Sequence, residues 1–222
     1  MANERFDSII SLVQPNRTVA DIGCDHAYVS CELVKRGISN LIYASDVRTG
    51  PLECAKANIK KYGFEKNIIP RLADGLDGIE EFQPQEIIIA GMGGELIISI
   101  LQRCEYVKNS NVHLILQPMT AVYELRQYLY TCGFTVTKEL LCRDSGKLYE
   151  IISCRYENKQ SRYTEAQLHL GVKTHLDPLF NEFLQAKINK FNVIIKGKKK
   201  AGLDTKYEHD ILNEFLKIGA LQ

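Results

Sequence analysis

The sequence predicts an α/β protein: an open sheet of parallel strands closed by one antiparallel hairpin, followed by a small helical extension. Three observations predict it. Short β-branched runs alternate with stretches of helical spacing from about Thr18 to Arg155, the order that yields parallel strands joined by crossover helices. The last two strand-like runs are separated only by Cys142 to Leu148, too short for a crossover helix, so they pair antiparallel. After the polar segment ENKQSR, Glu157 to Arg162, the apolar residues fall at helical steps.

The strands are expected at Val19 to Gly23, Leu41 to Asp46, Ile68 to Ala73, Ile87 to Ala90, Val112 to Leu116, Phe134 to Leu141 and Tyr149 to Arg155. Between them the spacing predicts helices at Ala27 to Arg36, Leu52 to Tyr62, Leu96 to Tyr106 and Tyr123 to Tyr130, with one more near Phe6 to Val13 before the first strand. Five crossover-linked strands ending in a hairpin outline a Rossmann-like class I methyltransferase domain rather than a dehydrogenase. This domain is assigned to residues 1–157 and the helical extension to residues 158–222. In the extension one helix begins near Pro178, a residue tolerated in a first turn, and aligns Phe180, Leu184, Ile188, Phe191 and Ile195. A second, from about Asp204, aligns Tyr207, Ile211, Phe215 and Ile218, so the two are expected to pair antiparallel as a coiled coil.

Composition narrows the function classes. At 222 residues the chain can hold one sizeable domain and a small appendage. No apolar run approaches a membrane span and the start, MANERFDSII, has no basic end ahead of an apolar stretch, so a cytoplasmic protein without a membrane partner is expected. The seven cysteines, Cys24, Cys31, Cys54, Cys104, Cys132, Cys142 and Cys154, are odd in number and form no C-x-x-C pair, which reads as reduced thiols and no metal site. His113, His169, His175 and His209 show neither metal spacing nor an acid partner. Charge is unevenly placed: between Lys187 and Lys206 stand seven lysines against the single acid Asp204, in a chain whose formal net charge is +1. A basic end on an otherwise acidic molecule suits an RNA backbone, which assigns Lys187, Lys190, Lys196, Lys198, Lys199 and Lys200 to RNA binding; the plainer reading is a solvated helix face.

The first strand runs into Asp21-Ile22-Gly23-Cys24-Asp25-His26-Ala27, where a nucleotide-binding turn enters the first helix. A dinucleotide fold wants G-x-G-x-x-G there, but Asp25 stands at the second glycine and would set a carboxylate against phosphates. A cofactor bearing an ammonium and a sulfonium, S-adenosyl-L-methionine, suits Asp21 and Asp25, and Gly23 lets the backbone come close. Asp46, with Val47 after it, ends the second strand, where an acid can accept ribose hydroxyls; Asp74 and Gly75 follow the third, placed for the adenine. One such acid is more often a helix cap, but three on successive strand ends point to a ligand. Ala90, Gly91, Met92 and Gly93 form a glycine-rich loop after the fourth strand. It lacks the Asn or Asp followed by two prolines that orients an exocyclic amine, so a ring nitrogen held in line with the methyl group fits better. His26 reads equally well as a proton acceptor beside the methyl donor or as a residue that steadies the turn. Catalysis is therefore expected from His26, Gly91, Met92 and Gly93.

Together DIGCDHAY, GMGGELI, LILQPM and GKLYEI resemble the bacterial TrmK family over roughly Arg5 to Arg155, and more loosely over the C-terminal helices. Members of that family methylate N1 of the adenine at position 22 of tRNA. The resemblance implies that activity, tRNA as partner and a coiled-coil extension, with Gly23, Asp25, His26, Asp46, Asp74, Gly75, Gly91, Met92 and Gly93 around the cofactor. A monomer is expected. The competing readings are a methyltransferase of the same fold acting on a small molecule or protein, and an RNA-binding module that keeps cofactor affinity without turnover.

Overall fold

The computed structural model describes residues 4–172 and 174–220; the expected domain limits at residues 1 and 222 lie outside them. The chain forms two compact units, residues 1–161 and 162–222.

In the first unit the order is α1 (Glu4–Ile10), β1 (Val19–Ile22), α2 (Tyr28–Lys35), β2 (Ile42–Asp46), α3 (Thr49–Tyr62), β3 (Ile68–Leu72), α4 (Ile79–Phe82), β4 (Glu86–Gly93), α5 (Gly94–Gln102), β5 (His113–Thr120), α6 (Val122–Thr131), β6 (Phe134–Asp144) and β7 (Lys147–Tyr156). The seven strands form one sheet in the order β3-β2-β1-β4-β5-β7-β6. β1 to β5 pair parallel, and β7 runs antiparallel to both β5 and β6. The chain order reverses direction between β1 and β4, and ligands settle at the carboxyl ends of strands around such a switch point. β1 and β2 are buried along their whole lengths, and Ile87, Ile88 and Ile89 of β4 are fully buried. Helix-covered parallel strands need such near-continuous apolar runs.

The β6–β7 hairpin turns at Ser145 and Gly146, both at positive φ, the geometry of a two-residue turn that matches strand twist. β4 and β5 run beyond their expected ends, to Gly93 and Thr120, with irregular register after Ala90 and after Met92. The helix expected to reach Tyr106 stops at Gln102, and Tyr106 lies in a separate 3-10 turn, Glu105–Lys108. His113 does have an acid partner: its ring nitrogens lie 2.5 Å from a Glu86 carboxylate oxygen and 2.6 Å from the Ser153 hydroxyl. Buried Arg126 likewise joins Glu139 and Glu150, each at 2.8 Å, tying α6 to the hairpin.

The second unit holds α7 (Glu165–Leu170), a 3-10 turn (Thr174–Leu176), α8 (Phe180–Lys200) and α9 (Lys206–Ala220). α7 opens on a capping box in which the Thr164 hydroxyl accepts from the Gln167 amide and the Gln167 side chain accepts from the Thr164 amide. Lys198 meets Glu208, Phe191 packs edge-on against Phe215, and Leu184 lies beside Gly219, so the contacts run in opposite directions along α8 and α9. Ile211 and Phe215 are buried as expected, but Tyr207 is not part of that face. Glu208 takes the inward position because its carboxylate is held by Lys198, while the Tyr207 hydroxyl donates outward to Glu165 at 2.9 Å.

Candidate active site

Parallel register brings the ends of β1, β2, β3 and β4 to one edge of the sheet, with Ile22 beside Ser45 and Ile89, and Asp46 beside Leu72. Past that edge the chain must turn sharply, and Gly23, Asp25 and Ala27 all take positive φ. Only glycine adopts this at little cost; for Asp25 and Ala27 it stores roughly 1 to 2 kcal/mol each. The turn is held by the Cys24 amide donating to the Ser45 carbonyl and the Ala27 amide donating to the Cys24 carbonyl.

A cavity of about 550 Å³ opens here, lined by Asp21, Gly23, Asp25, Asp46, Val47, Asp74, Gly75, Ala90, Gly91 and Met92 among others. All the expected cofactor residues except His26 and Gly93 thus share one space. His26 and Gly93 are not in the lining. The His26 ring leans on Tyr28 and sits 3.7 Å from the Asp25 carboxylate, while its carbonyl accepts from Asn58. Gly93 hands the chain from β4 to α5, and a Cβ there would stand 3.1 Å from the Thr120 hydroxyl. The lysines assigned to RNA belong to the second unit: Lys190, Lys196, Lys199 and Lys200 are exposed on α8, Lys187 sits 4.7 Å from the Phe183 ring centre, and Lys198 is committed to Glu208.

The cavity is strongly acidic. Asp21, only 5 % exposed, has its carboxyl pushed up to about 6 by burial, against the pull of a 2.6 Å hydrogen bond from Ser30. Asp46 is equally buried and accepts from the backbone amides of Asp25, at 3.2 Å, and Arg48, at 2.9 Å. Asp74 is exposed and accepts two hydrogen bonds from Arg103, which hold its carboxyl below the usual range. Burial, then the charges of Asp21, Asp46 and Asp25, push the Cys24 thiol well up, so it stays protonated.

Several lining residues carried no sequence signal of a role: Arg5 and Phe6 from α1, Leu96 and Ile100 from α5, and Gln117 and Met119 from β5. Gln117 lies within LILQPM, yet only the fold shows its work: the fully buried side chain accepts from the Gly91 amide at 3.2 Å and donates to the Pro118 carbonyl at 3.0 Å. It fixes the loop after β4 from the neighbouring strand.

The family described as a methyltransferase domain matches residues 2–152. The tRNA (adenine(22)-N1)-methyltransferase of Bacillus subtilis is 30 % identical over 77 % of this chain and 71 % of its own length. The crystal structure of the B. subtilis m1A22 tRNA methyltransferase TrmK superposes with a TM-score of 0.80 at 25 % identity, covering 98 % of this chain and 95 % of that one. The chain belongs to the TrmK family. Another close structure is a Streptococcus pneumoniae protein crystallised in complex with S-adenosyl-L-methionine, with a TM-score of 0.84, 31 % identity, and coverage of 97 % of this chain and 100 % of that one. The mixed seven-stranded sheet is thus the Rossmann-like methyltransferase fold of TrmK proteins.

Proposed function

We propose that this protein is an S-adenosyl-L-methionine-dependent methyltransferase acting on N1 of the adenine at position 22 of tRNA. The observation that carries this reading is the acidic cavity at the carboxyl ends of β1 to β4, in a chain of the TrmK family. Its chemistry fits the cofactor: carboxylates suit an ammonium and a sulfonium, and positive φ at Gly23 and Gly91 leaves backbone open to close approach. When bound, S-adenosyl-L-methionine supplies an electrophilic methyl group on a cationic sulfur. Asp21, Gly23 and Asp25 would hold its amino-acid end, with Ala90, Gly91 and Met92 beside it. Asp46 and Val47 would hold the ribose, and Asp74 and Gly75 the adenine.

Neutral adenine already presents an in-plane lone pair at N1, so no proton has to be removed before attack. The protein's task is alignment. Gly91 and Met92, steadied by Gln117, would shape the space for the base, and Gly93 would set the exit of that loop. His26 acts in this reading through its neighbour Asp25 and not as a proton acceptor. The second unit, residues 162–222, would be a coiled-coil extension that grips tRNA through Lys187, Lys190, Lys196, Lys199 and Lys200, in the cytoplasm where tRNA is found. Lys198 serves mainly to bind Glu208. No helix among the described residues is long and apolar enough to cross a membrane.

The test is mass-spectrometric mapping of nucleosides in tRNA incubated with protein and cofactor. A single 1-methyladenine at position 22 is expected. Methylation elsewhere, or of metabolites only, refutes the reading.

A further inference from the structure

Among the described residues, the acids of the cavity leave one of its cations unclaimed. Arg48 lies 3.7 Å from the Asp46 carboxylate, and Arg103 nearby is held by Asp74. Arg5 differs. It lines the cavity from α1, its guanidinium carbon 5.6 Å from the ring centre of Phe6 and 5.3 Å from that of Tyr149. One terminal nitrogen donates to the thioether sulfur of Met119 at 3.6 Å, a weak acceptor, and its buried Nε has no hydrogen-bond partner among the described residues. A guanidinium partly removed from water, with no acid paired to it among the described residues, is costly to maintain, and an anion would complete it.

Position identifies which anion. Asp74 follows β3, Asp46 is the last residue of β2, and Asp21 and Asp25 lie in and just after β1, on one side of the cavity. Arg5 instead touches Met119 of β5 and Tyr149 of β7, on the opposite side of Gly91 and Met92. If the acids hold the cofactor, as proposed above, the β5 side is left for the nucleotide to be methylated. There a cation against the base would oppose the positive charge that N1 methylation puts on the ring. The same cation against the nucleotide's phosphate meets a full negative charge, whose oxygens fit the guanidinium fork.

We propose that Arg5 binds the backbone phosphate of the nucleotide being methylated, and so draws the unstacked base into the cavity. The inference rests on the tRNA methyltransferase reading above. The variant Arg5→Met keeps an apolar stem between Phe6 and Tyr149 and removes the charge. It is expected to raise KM for tRNA about tenfold, the size of one charged phosphate contact, and to flatten the salt dependence of tRNA affinity by about 0.7 to 0.9 in logarithmic slope. Cofactor affinity by calorimetry should stay within about twofold of wild type. An unchanged KM and slope overturns the proposal, and so does a loss seen in cofactor affinity, which would put Arg5 on the cofactor carboxylate. Should Arg5→Met melt far below wild type, Arg5→Lys decides: KM should rise about threefold with the wild-type salt slope, since charge remains and the fork is lost, and an unchanged KM overturns the assignment. Wild-type protein that methylates no tRNA removes the underlying reading; wild-type activity with an indifferent Arg5→Met removes this inference alone.

Discussion

Lowering the pH from 7 to 5 should weaken cofactor binding about tenfold, and Asp21 should be the cause. Burial raises its carboxyl from the ordinary 3.8 to about 6, so Asp21 is mostly ionised at pH 7 and roughly one-tenth ionised at pH 5. A cationic ligand beside it binds the ionised form, so the affinity follows that fraction, and binding at pH 5 should release close to one proton. Calorimetry in buffers of different ionisation heat measures both quantities. Asp21→Asn should bind more weakly at pH 7 and show no such dependence. A flat affinity from pH 5 to 7, or the same slope in Asp21→Asn, refutes the reasoning.

The same shift has a stability consequence of definite sign. The folded carboxyl holds its proton more tightly than the unfolded one, so its ionisation penalty is absent below about pH 4, grows up to about 6 and is complete above. At pH 7 it amounts to about 3 kcal/mol at most. Asp21→Asn can still accept from Ser30, and it should therefore melt higher than wild type at pH 7 and lose that advantage in acid. More stable and weaker in binding is the signature of a group strained for function.

Other expectations follow from the same contacts. Gly94→Ala places a Cβ 2.3 Å from the Ala121 carbonyl and 2.8 Å from that of Thr120, both backbone, so it should cost about 1 to 3 kcal/mol and lower Tm by several degrees in thermal melts. Gly91→Ala meets nothing within 4 Å and carries only positive-φ strain of about 1 kcal/mol, yet its methyl intrudes on the cavity; it should lose cofactor affinity or turnover more than stability, and the reverse order would contradict both placements. Asp46→Ala removes the acceptor for two backbone amides and should weaken cofactor binding by roughly 1.5 to 3 kcal/mol in calorimetry; unchanged affinity would remove Asp46 from the site. Replacing Lys196, Lys199 and Lys200 by Ala, and sparing Lys198 for Glu208, should reduce the salt slope of tRNA binding by about 2 to 3 with cofactor affinity intact; no change means that these lysines only solvate the end of α8.

What could be read from the sequence was local or periodic. Strand and helix alternation gave the sheet, the short link from Cys142 to Leu148 gave the hairpin, and three acids after three strands marked the binding edge because parallel strands put their carboxyl ends together. What could not be read depends on partners distant in sequence. His113 is separated from Glu86 by 27 positions and from Ser153 by 40, and neither spacing distinguishes a buried relay from three unrelated residues. Arg5 precedes Met119 by 114 positions. The stripe in α9 failed differently: Tyr207 and Glu208 are neighbours, and hydropathy favours the tyrosine, but an ion pair with Lys198 carries the glutamate inward.

A carboxyl shifted to about 6 inside an active site also fits a general base, and that role has to be separated from cofactor binding. The two make opposite kinetic demands. A base that removes a proton in the methyl-transfer step would make kcat fall below pH 6 even with cofactor at saturation. An acceptor for the cofactor's ammonium would make KM for the cofactor rise while kcat stayed level, because saturation drives Asp21 back to its ionised form. Attack by N1 of neutral adenine needs no proton removed, whereas methylation of an exocyclic amine leaves a proton to be shed. The pH profile of kcat for saturated wild-type enzyme, set beside Asp21→Asn, thus reports on the kind of nitrogen as well as on Asp21. A level kcat between pH 5 and 7 is expected, and a kcat that tracks a group near 6 would argue for an amine acceptor and against the ring nitrogen.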